Sequence, residues 1–74
     1  MNLFITVHDR VEDRDIELNM TTVQSYMGKT ITDLDGSTHI CILYIIDNGL
    51  RIEEEFSSTA DRAAKMEELD GYLV

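Results

Sequence analysis

The sequence predicts a small α+β domain in which a mostly antiparallel sheet of about four or five strands packs against one C-terminal helix. Three observations predict it: apolar and polar residues alternate over most of the chain, glycine-containing turn signals separate these stretches, and an apolar stripe with helical spacing follows Ser58. Alternation at every second residue is typical of strands, whereas spacing of three and four is typical of helices. With 74 residues, of which 43% are hydrophobic, we expect a single domain over residues 1–74.

Two strands are expected near the N-terminus, over residues 3–8 and 15–20. Every second residue is apolar in both, which is typical of strands with one buried face. The charged segment 9–15 between them is interpreted as an exposed loop or hairpin end. A third and weaker extended stretch covers residues 22–32, with Gly28 as a bend.

The most apolar part of the chain, Ile40–Ile46, lies in a strand predicted over residues 38–46. Asn48 and Gly49 follow it, and both tolerate the positive φ angles of tight hairpin turns. Alternation then resumes over residues 50–55. These features predict a hairpin between the last two strands.

A helix is predicted over residues 59–70. Ser58 is suited to cap its N-terminus, with Asp61 three residues later, and Gly71 marks its end. The apolar residues of this segment recur at spacings of three and four and form one stripe, made of Ala60, Ala63, Met66, Leu69 and Leu73. We expect this stripe to cover one face of the sheet.

The last hairpin predicts an apolar surface that one helix does not cover. Directly opposed residues of an antiparallel hairpin share a face, so its charged residues lie beside one apolar row of the preceding strand. A two-residue turn selects the even-numbered row of residues 40–46, and a three-residue turn selects the odd-numbered row. The remaining apolar face needs a cover, from a second copy, from a different protein, or from segment 21–33. The candidate interface residues are Ile42, Leu43, Tyr44, Ile45, Arg51, Glu53 and Glu55.

Charge restricts the partners of the chain. Its 15 Asp and Glu against six Lys and Arg give a net charge of −9. Direct nucleic-acid binding is not expected, because no basic patch is present to displace counterions from phosphates. We expect a protein partner with a basic or apolar surface. The candidate acidic surface consists of Asp9, Glu12, Asp13 and Asp15.

The apolar runs are too short for a membrane span. The longest has seven residues, whereas a spanning helix needs about 20. We therefore expect no membrane partner. The first residues also lack the positive region of a secretory signal, so a cytoplasmic location is expected.

No combination of residues predicts catalysis, a metal site or a cofactor. His39 and Cys41 would share a strand face, but two ligands do not complete a zinc site. Cys41 lies in the apolar run, where a thiol acts as a small buried hydrophobe. The four glycines stand apart and form no phosphate loop. The sequence therefore predicts that the protein is not an enzyme.

The order of signals over residues 15–70 resembles a loose class of short strand-rich proteins of bacteriophages and their hosts, including the FlbD-type flagellar accessory proteins. The resemblance is carried by segments 15–19 and 23–26, the apolar strand, the turn at Asn48 and Gly49, segment 51–56 and a short acidic helix. These are general strand, turn and helix signals. The resemblance implies a sheet with a C-terminal helix and a non-enzymatic role, and it carries over no functional residue.

Together these features favour a small acidic protein-binding module. We expect a phage or bacterial regulatory or inhibitory factor that occupies a partner surface and forms a homodimer. One alternative is a DNA mimic, in which carboxylates occupy the basic cleft of a nucleic-acid enzyme. Another is a structural subunit of a larger assembly.

Overall fold

The computed structural model describes residues 3–72, and within them a five-stranded sheet with one C-terminal helix confirms the predicted fold class. The elements are β1 (Phe4–Asp9), β2 (Arg14–Asn19), a short 3-10 turn (Met20–Thr22), β3 (Val23–Thr32), β4 (Thr38–Ile46), β5 (Arg51–Phe56) and α1 (Thr59–Asp70). The strand order is β2-β1-β5-β4-β3, and all neighbours are antiparallel. The two N-terminal strands thus form one edge of the sheet, and β3 forms the other.

The β4–β5 hairpin has the three-residue turn that was one of the two predicted alternatives. The Ile46 N–H donates to the Leu50 carbonyl at 2.9 Å, and Gly49 has a φ of 84°. The resulting register places Leu43 opposite Glu53 and Cys41 opposite Glu55. The odd-numbered row of β4 therefore shares a face with the charged residues of β5, which we call the outer face.

The even-numbered row of β4 lies on the inner face, which α1 covers. Ile42 and Tyr44 are fully buried there. They belong to one apolar cluster that also contains residues of β1, β2, β5 and α1, namely Ile5, Val7, Leu18, Ile52 and Leu69. The Tyr44 hydroxyl donates to Glu54 at 2.7 Å, so its polar end is satisfied within this core.

The helix packs on the sheet through part of the predicted stripe, because Met66 and Leu69 contact the core. Ser58 caps it as expected, accepting a hydrogen bond from the Asp61 N–H, and Leu69 is buried. Ala60 and Ala63 are exposed, however, because their side of α1 is turned towards solvent. Leu73, the last residue of the predicted stripe, lies outside the described residues. No helix within residues 3–72 is long and apolar enough to cross a membrane.

Gly28 is not a bend, because β3 runs straight through it. The backbone here lies close to α1: a Cβ atom at Gly28 would lie 3.2 Å from both the Arg62 Nε and the Met66 Sδ. A Cβ atom at this position would require the Arg62 and Met66 side chains to shift by a few tenths of an ångström. The missing Cβ therefore leaves room for these two side chains of α1 against β3.

The β1–β2 hairpin joins the rest of the sheet through one residue pair. Asp9 lies opposite Glu54, and next to this pair the Arg10 N–H donates to the Glu53 carbonyl at 2.9 Å. The hairpin is otherwise held by its buried face, which includes Val7 and Leu18. Its attachment thus depends on side-chain packing more than on the backbone ladder.

Candidate protein-binding cleft

A cleft opens where the tip of the β1–β2 hairpin meets the tip of the β4–β5 hairpin. Val11 projects from the first tip and Leu50 from the second, with 64% and 54% of their surfaces exposed. Ile16 and Ile52 also line the cleft, so apolar side chains extend from its rim into the core. A concavity that combines apolar lining residues with polar ones is a candidate binding site.

Asp9 fixes the first tip against β5. Its buried carboxylate, 3% exposed, accepts the Val11 N–H at 3.3 Å and the Glu53 N–H at 3.2 Å. One side chain therefore holds both walls of the cleft together. The prediction that Asp9 belongs to an acidic surface is wrong, because its carboxylate is used inside the fold.

The other three residues of the predicted acidic surface are exposed in the turn of the β1–β2 hairpin and at the start of β2. The exposed side-chain fractions are 54% for Glu12, 90% for Asp13 and 73% for Asp15. Glu12 lines the cleft itself and pairs with Arg14 at 2.8 Å. Asp13 has a φ of 54°, a left-handed conformation that Asp tolerates better than most residues.

His8 lies between two of these carboxylates. Its Nδ1 is 2.8 Å from Asp15 and its Nε2 is 3.0 Å from Asp13. These hydrogen bonds, first to Asp15 and then to Asp13, raise the pKa of His8 above its ordinary value. Partial protonation of His8 thus lowers the repulsion between the two carboxylates.

A second charged cluster closes part of the outer face. Arg10 reaches across the sheet and pairs with Glu53 at 2.7 Å and with Asp33 at 2.9 Å. His39 in turn contacts Asp33 at 2.8 Å and Glu55 at 2.6 Å. We call these five residues the outer cluster. This charged network therefore covers part of the outer face of β4. The sequence predicts a second copy, a different protein or segment 21–33 as the cover of that face.

Cys41 lies on the same face as the outer cluster and is fully buried. Burial raises the pKa of its thiol, so the thiol form is favoured. Both ring nitrogens of His39 are occupied by carboxylates rather than by this thiol. Among residues 3–72, no group of three or more His, Cys, Asp or Glu side chains is arranged to hold a metal ion.

The candidate interface residues do not form one surface. Ile42 and Tyr44 are in the core beneath α1, so their assignment to an interface is wrong. Leu43 is only 6% exposed and Ile45 is half-buried, both on the outer face. Glu55 belongs to the outer cluster. Arg51 and Glu53 instead line the cleft, together with Glu12 of the predicted acidic surface.

Val11 and Leu50, the most accessible apolar residues of the cleft, were not among the predicted site residues. Val11 interrupts a charged segment, and Leu50 begins the alternation over residues 50–55. A lone apolar residue at a hairpin tip is a weak signal, because single exposed apolar residues are common. Val11 and Leu50 line the same cleft only because the fold brings the two hairpin tips together.

No protein-family model, curated protein or solved structure matches this chain. The resemblance to FlbD-type proteins consequently stays a prediction.

Proposed function

We propose that this protein is a non-enzymatic, cytoplasmic protein-binding module. Its cleft receives an apolar side chain of a positively charged partner. The observation that carries the proposal is that Val11 and Leu50 line the same concavity, although each is more than half exposed. Occupying the partner's surface in this way is a means of regulation or inhibition.

The lining of the cleft combines apolar and charged side chains. Glu12, Arg14 and Arg51 line it together with Val11, Ile16, Leu50 and Ile52. Protein interfaces likewise combine apolar contacts with polar ones. Removing Val11 and Leu50 from water would supply about 25 cal/mol for each Å² of apolar surface buried.

The charge of the β1–β2 hairpin and of the whole chain favours a basic partner. Asp13 and Asp15 are exposed, and the chain as a whole carries a net charge of −9. Such a field speeds the encounter with a positively charged surface and repels an acidic one. Binding should therefore weaken as salt is added.

Asp9 supports the proposal because it fixes the cleft before a partner arrives. Its carboxylate bonds to the N–H groups of Val11 and Glu53, one on each wall. A site that is already ordered loses less conformational entropy on binding.

The proposal is tested by titrating isotope-labelled protein with a short peptide in which one leucine is flanked by lysines. We expect the largest chemical-shift changes at Val11, Leu50 and Ile52. Two control peptides, one with serine for leucine and one with glutamate for lysine, should each bind much more weakly. Shift changes confined to the outer face would contradict the cleft as the site.

Variants separate the apolar contribution from the charge. Val11→Ser or Leu50→Ser should weaken peptide binding about tenfold, the loss expected for a partly buried side chain. Leu34→Ser is the matched control, because Leu34 is fully exposed in the β3–β4 turn. If the cleft variants bind normally while neutralising Glu12, Asp13 and Asp15 abolishes binding, the DNA-mimic alternative is favoured and the cleft proposal is wrong.

A further inference from the structure

β3 is a long edge strand whose second side is open. It runs for ten residues and pairs only with β4. No strand among residues 3–72 pairs with its other side. The backbone N–H and C=O groups on an open edge are a template for adding another strand.

The charge along β3 permits a second copy of this acidic chain to approach. Residues 23–32 contain no Asp or Glu, and Lys29 is their only charged residue. The opposite edge of the sheet is different, because β2 and the turn before it carry Glu12, Asp13, Asp15 and Glu17. Two chains of charge −9 repel each other least when they meet at β3.

We infer that two copies of this chain pair antiparallel through β3, around a two-fold axis perpendicular to the sheet. The two five-stranded sheets then form one continuous sheet, and each copy uses the same residues, as in most homodimers. This surface differs from the face of β4 on which the sequence placed a dimer. It is also independent of the proposed function, because the cleft is formed by β1, β2 and β5 and the tip that precedes β5.

The side chains favour a register centred on Gly28. In that register Lys29 of each copy lies opposite Met27 of the other, and Tyr26 lies opposite Thr30. Aromatic and β-branched residues make favourable cross-strand pairs, and the lysine stem can cover Met27, which is 41% exposed. A register centred on Lys29 is disfavoured, because it places two like charges directly opposite each other.

The dimer should be reversible. A register shift between Val23 and Ser25 interrupts the regular part of the strand, which leaves residues 25–32 for pairing. A single short strand pair lies at the low end of interface sizes, where complexes are transient. We therefore expect a monomer–dimer equilibrium that depends on concentration.

Sedimentation and hydrogen exchange over a range of protein concentrations test the inference. We expect dimers at high concentration, together with new protection of those β3 amides that point away from β4. The outward amides of β2 are the internal control and should exchange at the same rate throughout. A monomer at every concentration, or a dimer without new protection in β3, would overturn the inference.

Two substitutions at Met27 test the register. Met27→Lys should weaken the dimer about fivefold, because by symmetry it creates two like-charge pairs with Lys29. Met27→Glu should strengthen the dimer by a similar factor, although it makes each chain more acidic. Repulsion between the net charges alone predicts the opposite order for the two variants.

Leu34→Lys and Leu34→Glu are the matched controls, since they change the net charge equally at an exposed residue outside β3. We expect neither to reproduce the effects seen at Met27. If Met27→Glu dissociates the dimer as Met27→Lys does, the register centred on Gly28 is wrong.

Discussion

On the inner face of the sheet, β4 is buried by apolar side chains and by α1, whereas on the outer face the same strand lies beside an arginine and its carboxylates. Ile42 on the inner face and Cys41 on the outer face are both completely buried. The covers differ in kind, since apolar packing near Leu69 closes the inner face and the outer cluster closes part of the other. Equal burial therefore has two origins, which should respond differently to mutation, salt and pH.

The largest effect is expected for a cavity on the inner face. Leu69→Ala truncates a fully buried side chain on the face of α1 that packs on the sheet. It should lower the free energy of unfolding by about 2–5 kcal/mol. The loss should not depend on salt, because no charge is involved. Urea denaturation measures it, with Ala63→Ser on the exposed side of α1 as the control. A loss for the control as large as for Leu69→Ala would mean that the helix packs in another orientation.

The next largest effect is expected at Asp9, where the hairpin tip is held against β5. Asp9→Ala leaves the N–H groups of Val11 and Glu53 without their carboxylate partner and should cost about 2–3 kcal/mol. Peptide binding to the cleft should weaken as well, because the two walls are no longer tied together. Asp13→Asn is the control, since Asp13 is 90% exposed and Asn tolerates the same left-handed backbone. Equal stability of the two variants would contradict the structural role of Asp9.

A smaller and salt-dependent effect is expected on the outer face. Arg10→Met keeps much of the aliphatic stem but removes the ion pairs with Glu53 and Asp33, and should cost about 1–2 kcal/mol. The value is modest because Asp33 is 40% exposed and partly screened by water. Adding salt should narrow the difference between Arg10→Met and the unmodified chain. A loss that salt leaves unchanged would show that Arg10 acts through packing alone.

The smallest effect is a pH dependence from His39. Hydrogen bonds to Glu55 and Asp33 raise its pKa, against burial and the nearby charge of Arg10, which lower it. The folded state therefore binds the proton more tightly than the unfolded state. This stabilisation is complete below the ordinary pKa of about 6.5 and disappears as pH rises through the raised folded value.

Chemical denaturation between about pH 5 and 8 measures this contribution. His39→Gln should flatten part of the slope. His8→Gln should flatten a separate part, because the pKa of His8 is raised by the exposed Asp15 and Asp13. Stability that increases with pH over this range in the unmodified chain would contradict the sign for both residues.

The strands were predictable because their information is local. Alternating residues and turn glycines place each strand within one or two residues of its observed bounds, and Gly49 and Gly36 do have positive φ angles. The order of the strands was not predictable. It depends on contacts such as Asp9 with Glu54, which are distant in the chain.

The helix shows where periodicity stops being informative. Two overlapping stripes of α1 fit the same spacing and share Met66 and Leu69. The stripe that also contains Arg62 is buried or half-buried. The presence of a charged residue made that stripe the less obvious choice. Arg62 is nevertheless half-buried, and within residues 3–72 its Nη1 is buried without a hydrogen-bond partner.

The site was predicted only in part for a related reason. Segment 9–15 reads as a solvated loop because it is rich in charge. In the structure, Asp9 and Arg10 turn to opposite faces of the sheet and both reach Glu53. Long-range hydrogen bonds of this kind leave no periodic trace in the sequence, so two structural residues looked like surface charges.

The single residue pair between β1 and β5 also affects the dynamics of the fold. Few backbone bonds hold the β1–β2 hairpin to β5, so opening of the hairpin as a unit is opposed mainly by its buried residues, such as Val7 and Leu18, and by the hydrogen bonds of Asp9. This opening would separate Val11 from Leu50, which lie on different hairpins. A partner side chain held between them would slow the opening, and slower amide exchange throughout β1 and β2 would then report occupancy of the cleft.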